Sequence, residues 1–97
     1  MNYKFHPLAE AEHLEVIAYY ESKRKGLGAS YLNEFEATMT GICGFPGRFI
    51  IERKPDIRRG QIKNFPFTIL FRDVSGVVQI LAVAHIRRRP SYWFGRL

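Results

Sequence analysis

The chain has 97 residues, 46% hydrophobic and 14% aromatic, which excludes a disordered polymer and suits one compact domain over residues 1–97. Its net charge of +6 is uneven: residues 1–47 hold four Lys/Arg against six Asp/Glu, and residues 48–97 hold eleven against three. The single Cys43 excludes an internal disulfide, no apolar run reaches bilayer length, and the first fifteen residues lack a secretion-signal core, so a cytoplasmic protein with no membrane partner is expected.

In chain order, "YKFH" reads as a short strand stopped by Pro7, which suits the first turn of a helix. The helical period then runs from Leu8 to about Lys25, with Leu8, Ala11, Leu14, Ile17 and Ala18 on one arc. Glu10, Glu12 and Glu15 near its start and Lys23, Arg24 and Lys25 at its end complement the helix dipole. After the tight connector "KGLG", a second helix is expected from about Ala29 to Cys43, with Tyr31, Leu32, Phe35, Met39, Ile42 and Cys43 on one face. The short connector makes the pair an antiparallel hairpin, and "GFPG" ends it.

The remainder reads as sheet. "DIRRGQIKNF" is a candidate strand bearing basic residues. "FPFTILF" places Phe65, Phe67, Ile69 and Phe71 on one face. Ser75-Gly76 marks a hairpin turn, and "VVQILAVAHI" has the apolar continuity of a central strand covered on both sides. The order β-α-α-β-β-β predicts an α+β two-layer fold: a helical hairpin packed on one face of a mainly antiparallel four-stranded sheet. The other face is expected to carry Thr68, Arg72 and the basic residues of the Ile57–Lys63 strand.

No GxGxxG, GxxxxGK[ST] or GxSxG motif is present, and three histidines with one cysteine show no metal-ligand spacing, so no metal or other cofactor is expected. Cys43 reads as a core thiol, and His13 falls on the expected polar side of its helix. The chemistry-bearing candidates lie in the basic half. Arg58, Arg59, Lys63, Arg72 and Arg89 are candidates for target or nucleic-acid contact. His85, Arg87, Arg88 and Tyr92 are the candidates for catalysis. Arginine forks match phosphates, adjacent aromatics stack on bases, and a histidine can exchange protons near neutral pH. The competing reading is a charge-guarded sheet end on which Trp93 folds back to cap the core.

These features in this order resemble the RelE/ParE superfamily of bacterial toxins, found in type II toxin–antitoxin (plasmid stabilisation) systems. The resemblance runs through Phe5-His6-Pro7, Tyr19-Tyr20, Leu27-Gly28, Pro46, Ile57-Arg58-Arg59, Phe65-Pro66-Phe67 and Ala82 to Trp93, nearly the whole chain. It implies the same β-α-α-β-β-β fold. It also implies a cognate antitoxin whose acidic, amphipathic C-terminal segment wraps the toxin along the hairpin and sheet. RelE-type members cleave mRNA in the ribosome, and position transfers that role to His85, Arg87, Arg88 and Tyr92. Those members carry an arginine inside the strand corresponding to "FPFTILF", where this chain has Thr68. ParE-type members lack the nuclease set and poison DNA gyrase. The ParE-like reading leads, with the ribosome-dependent endoribonuclease and a detoxified antitoxin- or nucleic-acid-binding relative as alternatives.

Overall fold

The computed structural model describes residues 2–97. Five strands form one sheet: β1 (Asn2–Phe5), β2 (Ile50–Arg53), β3 (Ile57–Gln61), β4 (Phe67–Val74) and β5 (Val77–His85). Two helices, α1 (Pro7–Lys23) and α2 (Leu27–Gly44), pack on one face. The sheet order is β1-β5-β4-β3-β2, with β1 parallel to β5 and every other pair antiparallel. The expected α+β architecture is present, with five strands in place of four. The added strand, β2, is an exposed edge with neither side chain row buried, so it leaves no hydrophobic period to read.

Local chemistry fixes the hairpin. His6 caps α1 by accepting the Leu8 N–H on Nδ1 at 3.1 Å, and Pro7 occupies the first turn. At the other end, the Glu21 carboxylate accepts the N–H groups of Gly26 and Gly28, each at about 3.0 Å, satisfying orphan donors at the start of α2. Gly28 is buried against α1, where a Cβ would stand 2.9 Å from the Ile17 carbonyl oxygen. The helices therefore approach at that point only because residue 28 lacks a side chain.

The buried face of α2 matches the sequence: Tyr31, Phe35, Met39 and Ile42 are buried, with Leu32 and Cys43 packed at the margin. On α1 the expected arc is wrong. The buried residues are Ala9, His13 and Val16, while Leu8 and Leu14 are more than half exposed. The buried stripe is narrow and includes a histidine, so counting apolar residues selects the adjacent, solvent-facing arc. His13 thus lies in the core. Its ring stacks on Phe5 (centroids 5.1 Å apart) and meets Phe35 at a tilt (4.1 Å), and Nδ1 lies 3.3 Å from the Tyr31 hydroxyl.

Burial holds His13 below the usual histidine pKa, because an imidazolium here would lose its water. The unfolded chain therefore binds the proton more readily. Stability should be full above about pH 6.5 and fall as pH drops through the unfolded histidine pKa toward the lower folded value. A thermal melting series from pH 8 to pH 5 checks this: His13→Phe should have a flatter profile over that range than the parent chain.

The tight β4–β5 turn uses Ser75 and Gly76, both at positive φ, with the Gly76 N–H donated to Asp73. One irregularity shapes β5. Phe71 pairs with Ile80 and Leu70 with Ala82, leaving Leu81 as an extra residue. Val78, Ile80 and Val83 consequently join the helix-side core, whereas Leu81, Ala82 and Ala84 join a second cluster. That cluster, completed by Ile57, Leu70 and Trp93, is covered by the C-terminal segment. Trp93 is 2% exposed, as expected of a capping residue.

Candidate functional site

Strands β2 to β5 and the C-terminal turn build a shallow groove on the face away from the helices. Strand alternation in β3 points Arg58 and Gly60 to the helix side and Ile57, Arg59 and Gln61 to the other. Gln61 pairs in register with Thr68, and the Thr68 hydroxyl donates to Gln61 Oε1 at 3.1 Å. Gln61 Nε2 in turn donates to the Phe65 and Phe67 carbonyls, both at 3.0 Å. The floor is therefore a locked neutral amide–hydroxyl pair. Arg59, Arg88 and Arg89 line the groove with His85 and Tyr92, in a hollow of about 250 Å³. A second hollow of about 510 Å³ continues from Arg59, Gln61 and Thr68 toward Arg48 and Ile50.

The candidate residues divide by position. Arg59 lies in the groove, 3.5 Å from Glu52, with half of its side chain exposed. Arg58 is turned away, donating to the Phe49 carbonyl at 2.7 Å, so it secures the loop before β2. Arg72 sits at the far end of β4, where Nε donates to Gln79 at 3.1 Å. Lys63 is exposed in the β3–β4 connection, and Arg87 is exposed in the turn after β5. The Arg88 guanidinium lies 3.9 Å from the Tyr92 ring centroid and 4.0 Å from Glu12. The expected convergence thus gathers Arg59, Arg88, Arg89, His85 and Tyr92, and leaves Arg58, Lys63 and Arg72 outside the groove.

Two groups bordering the groove have acid–base chemistry. His85 Nδ1 accepts the Arg87 backbone N–H at 3.1 Å, and its ring meets Phe67 edge-on at 5.2 Å. With Nδ1 accepting, neutral His85 carries its proton on Nε2. The ring lies on the helix side of β5 with Phe67, its cross-strand partner, beside Val16 and Tyr19 of α1, so only the margin of His85 borders the groove. The Tyr92 hydroxyl is buried beside Glu12 without a hydrogen bond of acceptable geometry. Burial, reinforced by the Glu12 carboxylate, pushes its pKa up, so it stays protonated at neutral pH. Thr68, where the endoribonuclease pattern has an arginine, is tied to Gln61 and adds no charge. The assembly can bind an anionic or phosphate-bearing surface through its guanidinium forks.

Sequence reasoning passed over two residues that organise the site. Gln61 was legible as the next outward position after Arg59 in β3. Glu12 was read only as a helix-dipole acid. It is a nearly buried hub, accepting the Val83 N–H at 3.0 Å on Oε1 and two N–H groups of Arg96 at 2.9 Å each. Arg96 also donates to the Leu81 carbonyl at 3.0 Å, which fastens the C-terminal segment across the sheet edge.

No protein-family model and no curated protein sequence matches the chain. Among described residues, no helix is long and apolar enough to cross a membrane. Solved structures do match. One is a chain of the chromosomal ParDE toxin–antitoxin system from P. aeruginosa, with a TM-score of 0.74 at 16% identity, covering 88% of this chain and 95% of that one. The chain therefore shares the fold of that ParDE-system chain, two helices on a mainly antiparallel sheet.

Proposed function

We propose that this chain is the toxin of a type II toxin–antitoxin system. It acts in the cytoplasm as a ParE-like inhibitor of DNA gyrase, by binding rather than catalysis, and a cognate antitoxin neutralises it. The fold shared with the ParDE structure supports the toxin assignment. The observation supporting the non-catalytic reading is the groove itself: the His85 ring turns to Phe67 on the helix side, the tyrosine is held protonated, and the strand position has a hydrogen-bonded threonine. Arg59, Arg88 and Arg89 then contribute charge to the target contact. The alternative endoribonuclease reading draws on Arg87 and Arg88 with His85 and Tyr92, and it demands that His85 move a proton.

Induction of the chain in a bacterial host, without its antitoxin, should arrest growth and alter gyrase supercoiling. The double variant Arg88→Glu/Arg89→Glu should restore growth, whereas His85→Gln should remain toxic. Normal growth on the parent chain counts against the toxin assignment. New codon-associated mRNA cuts that disappear in His85→Gln, with supercoiling intact, would establish the endoribonuclease instead.

A further inference from the structure

Arg88 differs from the other arginines of the basic half in how it is held. Arg58 donates to the Phe49 carbonyl, Arg72 donates to Gln79, and Arg59 lies 3.5 Å from Glu52. The Arg88 guanidinium instead lies over the Tyr92 ring, 3.9 Å from its centroid. Its one oppositely charged neighbour among the described residues is Glu12, at 4.0 Å. That carboxylate is already engaged by Arg96 in a bidentate pair at 2.9 Å. One negative charge thus faces two guanidinium groups, and the surplus positive charge falls on the more exposed one. The Arg88 side chain is 56% exposed and that of Arg96 10%. A ring face holds a cation without consuming its N–H donors, so the Arg88 fork stays available.

The support beneath Arg88 is built from distant parts of the chain. Arg96 also lies over Tyr92, 5.1 Å from the centroid, and donates to the Leu81 carbonyl at 3.0 Å. The Tyr92 ring packs against the second core, while its hydroxyl is buried without a hydrogen-bond partner. We propose that Tyr92 is a positioning residue: its ring, braced by Arg96 and Glu12, orients Arg88 as the specificity-determining contact of the groove. The proposal rests on the target-binding reading above, and it assigns the Tyr92 hydroxyl no role. An oriented guanidinium presents paired N–H donors in a fixed plane, so it selects an oxyanion by geometry as well as by charge. Arg89 lines the same groove at an exposed position, with no ring or carboxylate holding it among the described residues, and contributes charge alone.

The test measures inhibition of gyrase supercoiling by the purified full chain and its variants, together with the proton NMR shifts of the Arg88 side chain. Arg88→Lys keeps the charge and loses the fork, and should raise the half-inhibitory concentration by about tenfold. Arg89→Lys should cost clearly less. Tyr92→Leu should also raise that concentration by about tenfold, and Tyr92→Phe, which keeps the ring, should recover most of the loss. The ring current should move the Arg88 δ-methylene protons upfield in the parent chain and in Tyr92→Phe, and Tyr92→Leu should return them to ordinary values. Loss of inhibition in Tyr92→Phe assigns the role to the hydroxyl and overturns the proposal. Equal losses in Arg88→Lys and Arg89→Lys, or Arg88 shifts that do not respond to Tyr92→Leu, overturn it too, with the gyrase reading left standing. A parent chain without effect on supercoiling overturns the gyrase reading and the contact assigned to Arg88, while an upfield Arg88 shift still upholds the support by Tyr92.

Discussion

Glu12→Ala is expected to lower the folding stability by about 3–5 kcal/mol, because it strands one partner of a buried ion pair. The Glu12 and Arg96 side chains are 13% and 10% exposed, and the pair is bidentate at 2.9 Å. Removing the carboxylate leaves the Arg96 guanidinium with one carbonyl contact and takes away the acceptor of the Val83 N–H. For a chain of this size, such a loss shifts the melting midpoint by roughly 12 °C or more. Glu12→Gln is the informative companion. The amide can still accept from Val83 and satisfies part of Arg96, so a smaller loss is expected. A midpoint for Glu12→Ala close to that of the parent chain would mean that Arg96 escapes to water and the pair holds nothing.

This hub also explains what could and could not be read from the amino acids. The α2 stripe, the Ser75-Gly76 turn and the one-sided Phe65, Phe67, Ile69 and Phe71 set were legible because each follows a local period or turn preference. β2 was not legible, since Ile50 and Ile51 owe their strand to pairing with β3 rather than to burial. The α1 face was misjudged for a related reason. His13 is accepted into the core by Phe5, Tyr31 and Phe35, which lie on two other elements. Glu12 finds its partner 84 residues later, a distance no periodicity reports.

The site shows the same division. That Arg59, Arg88 and Arg89 share one groove follows from adjacent strands and a turn after β5, which the strand order predicts. That Arg58 faces the other way follows from the strand alternation around Ile57 and Gly60. The placement of these groups is a tertiary property. It depends on the His85 ring packing on Phe67 and on the C-terminal segment burying Tyr92. Residue types that look like an acid–base pair in "AVAHIRRRPSYW" are thereby turned to different faces, the imidazole toward α1 and the hydroxyl buried beside Glu12.

Trp93→Ala should cost about 3–5 kcal/mol, the range for deleting a large buried aromatic. Trp93 fills the second core against Leu70, Leu81 and Ala84, and its neighbour Phe94 is held under Arg53 at 3.8 Å. The C-terminal segment is thus fixed at two points: the indole over the sheet and the Arg96–Glu12 pair at its edge. Both anchors act on one short stretch of chain, so their losses should not add. Once either is gone, the segment detaches and the second anchor has little left to hold. The double variant Glu12→Ala/Trp93→Ala should therefore lose clearly less than the sum of the single losses in a denaturant titration. Strict additivity would mean that the two anchors stabilise separate units. Because Arg88 and Tyr92 lie between β5 and Trp93, detachment also disperses the groove. Either single variant should then weaken growth arrest in parallel with its stability loss, whereas Arg89→Glu, at an exposed groove position away from Glu12, should weaken arrest with the melting midpoint nearly unmoved.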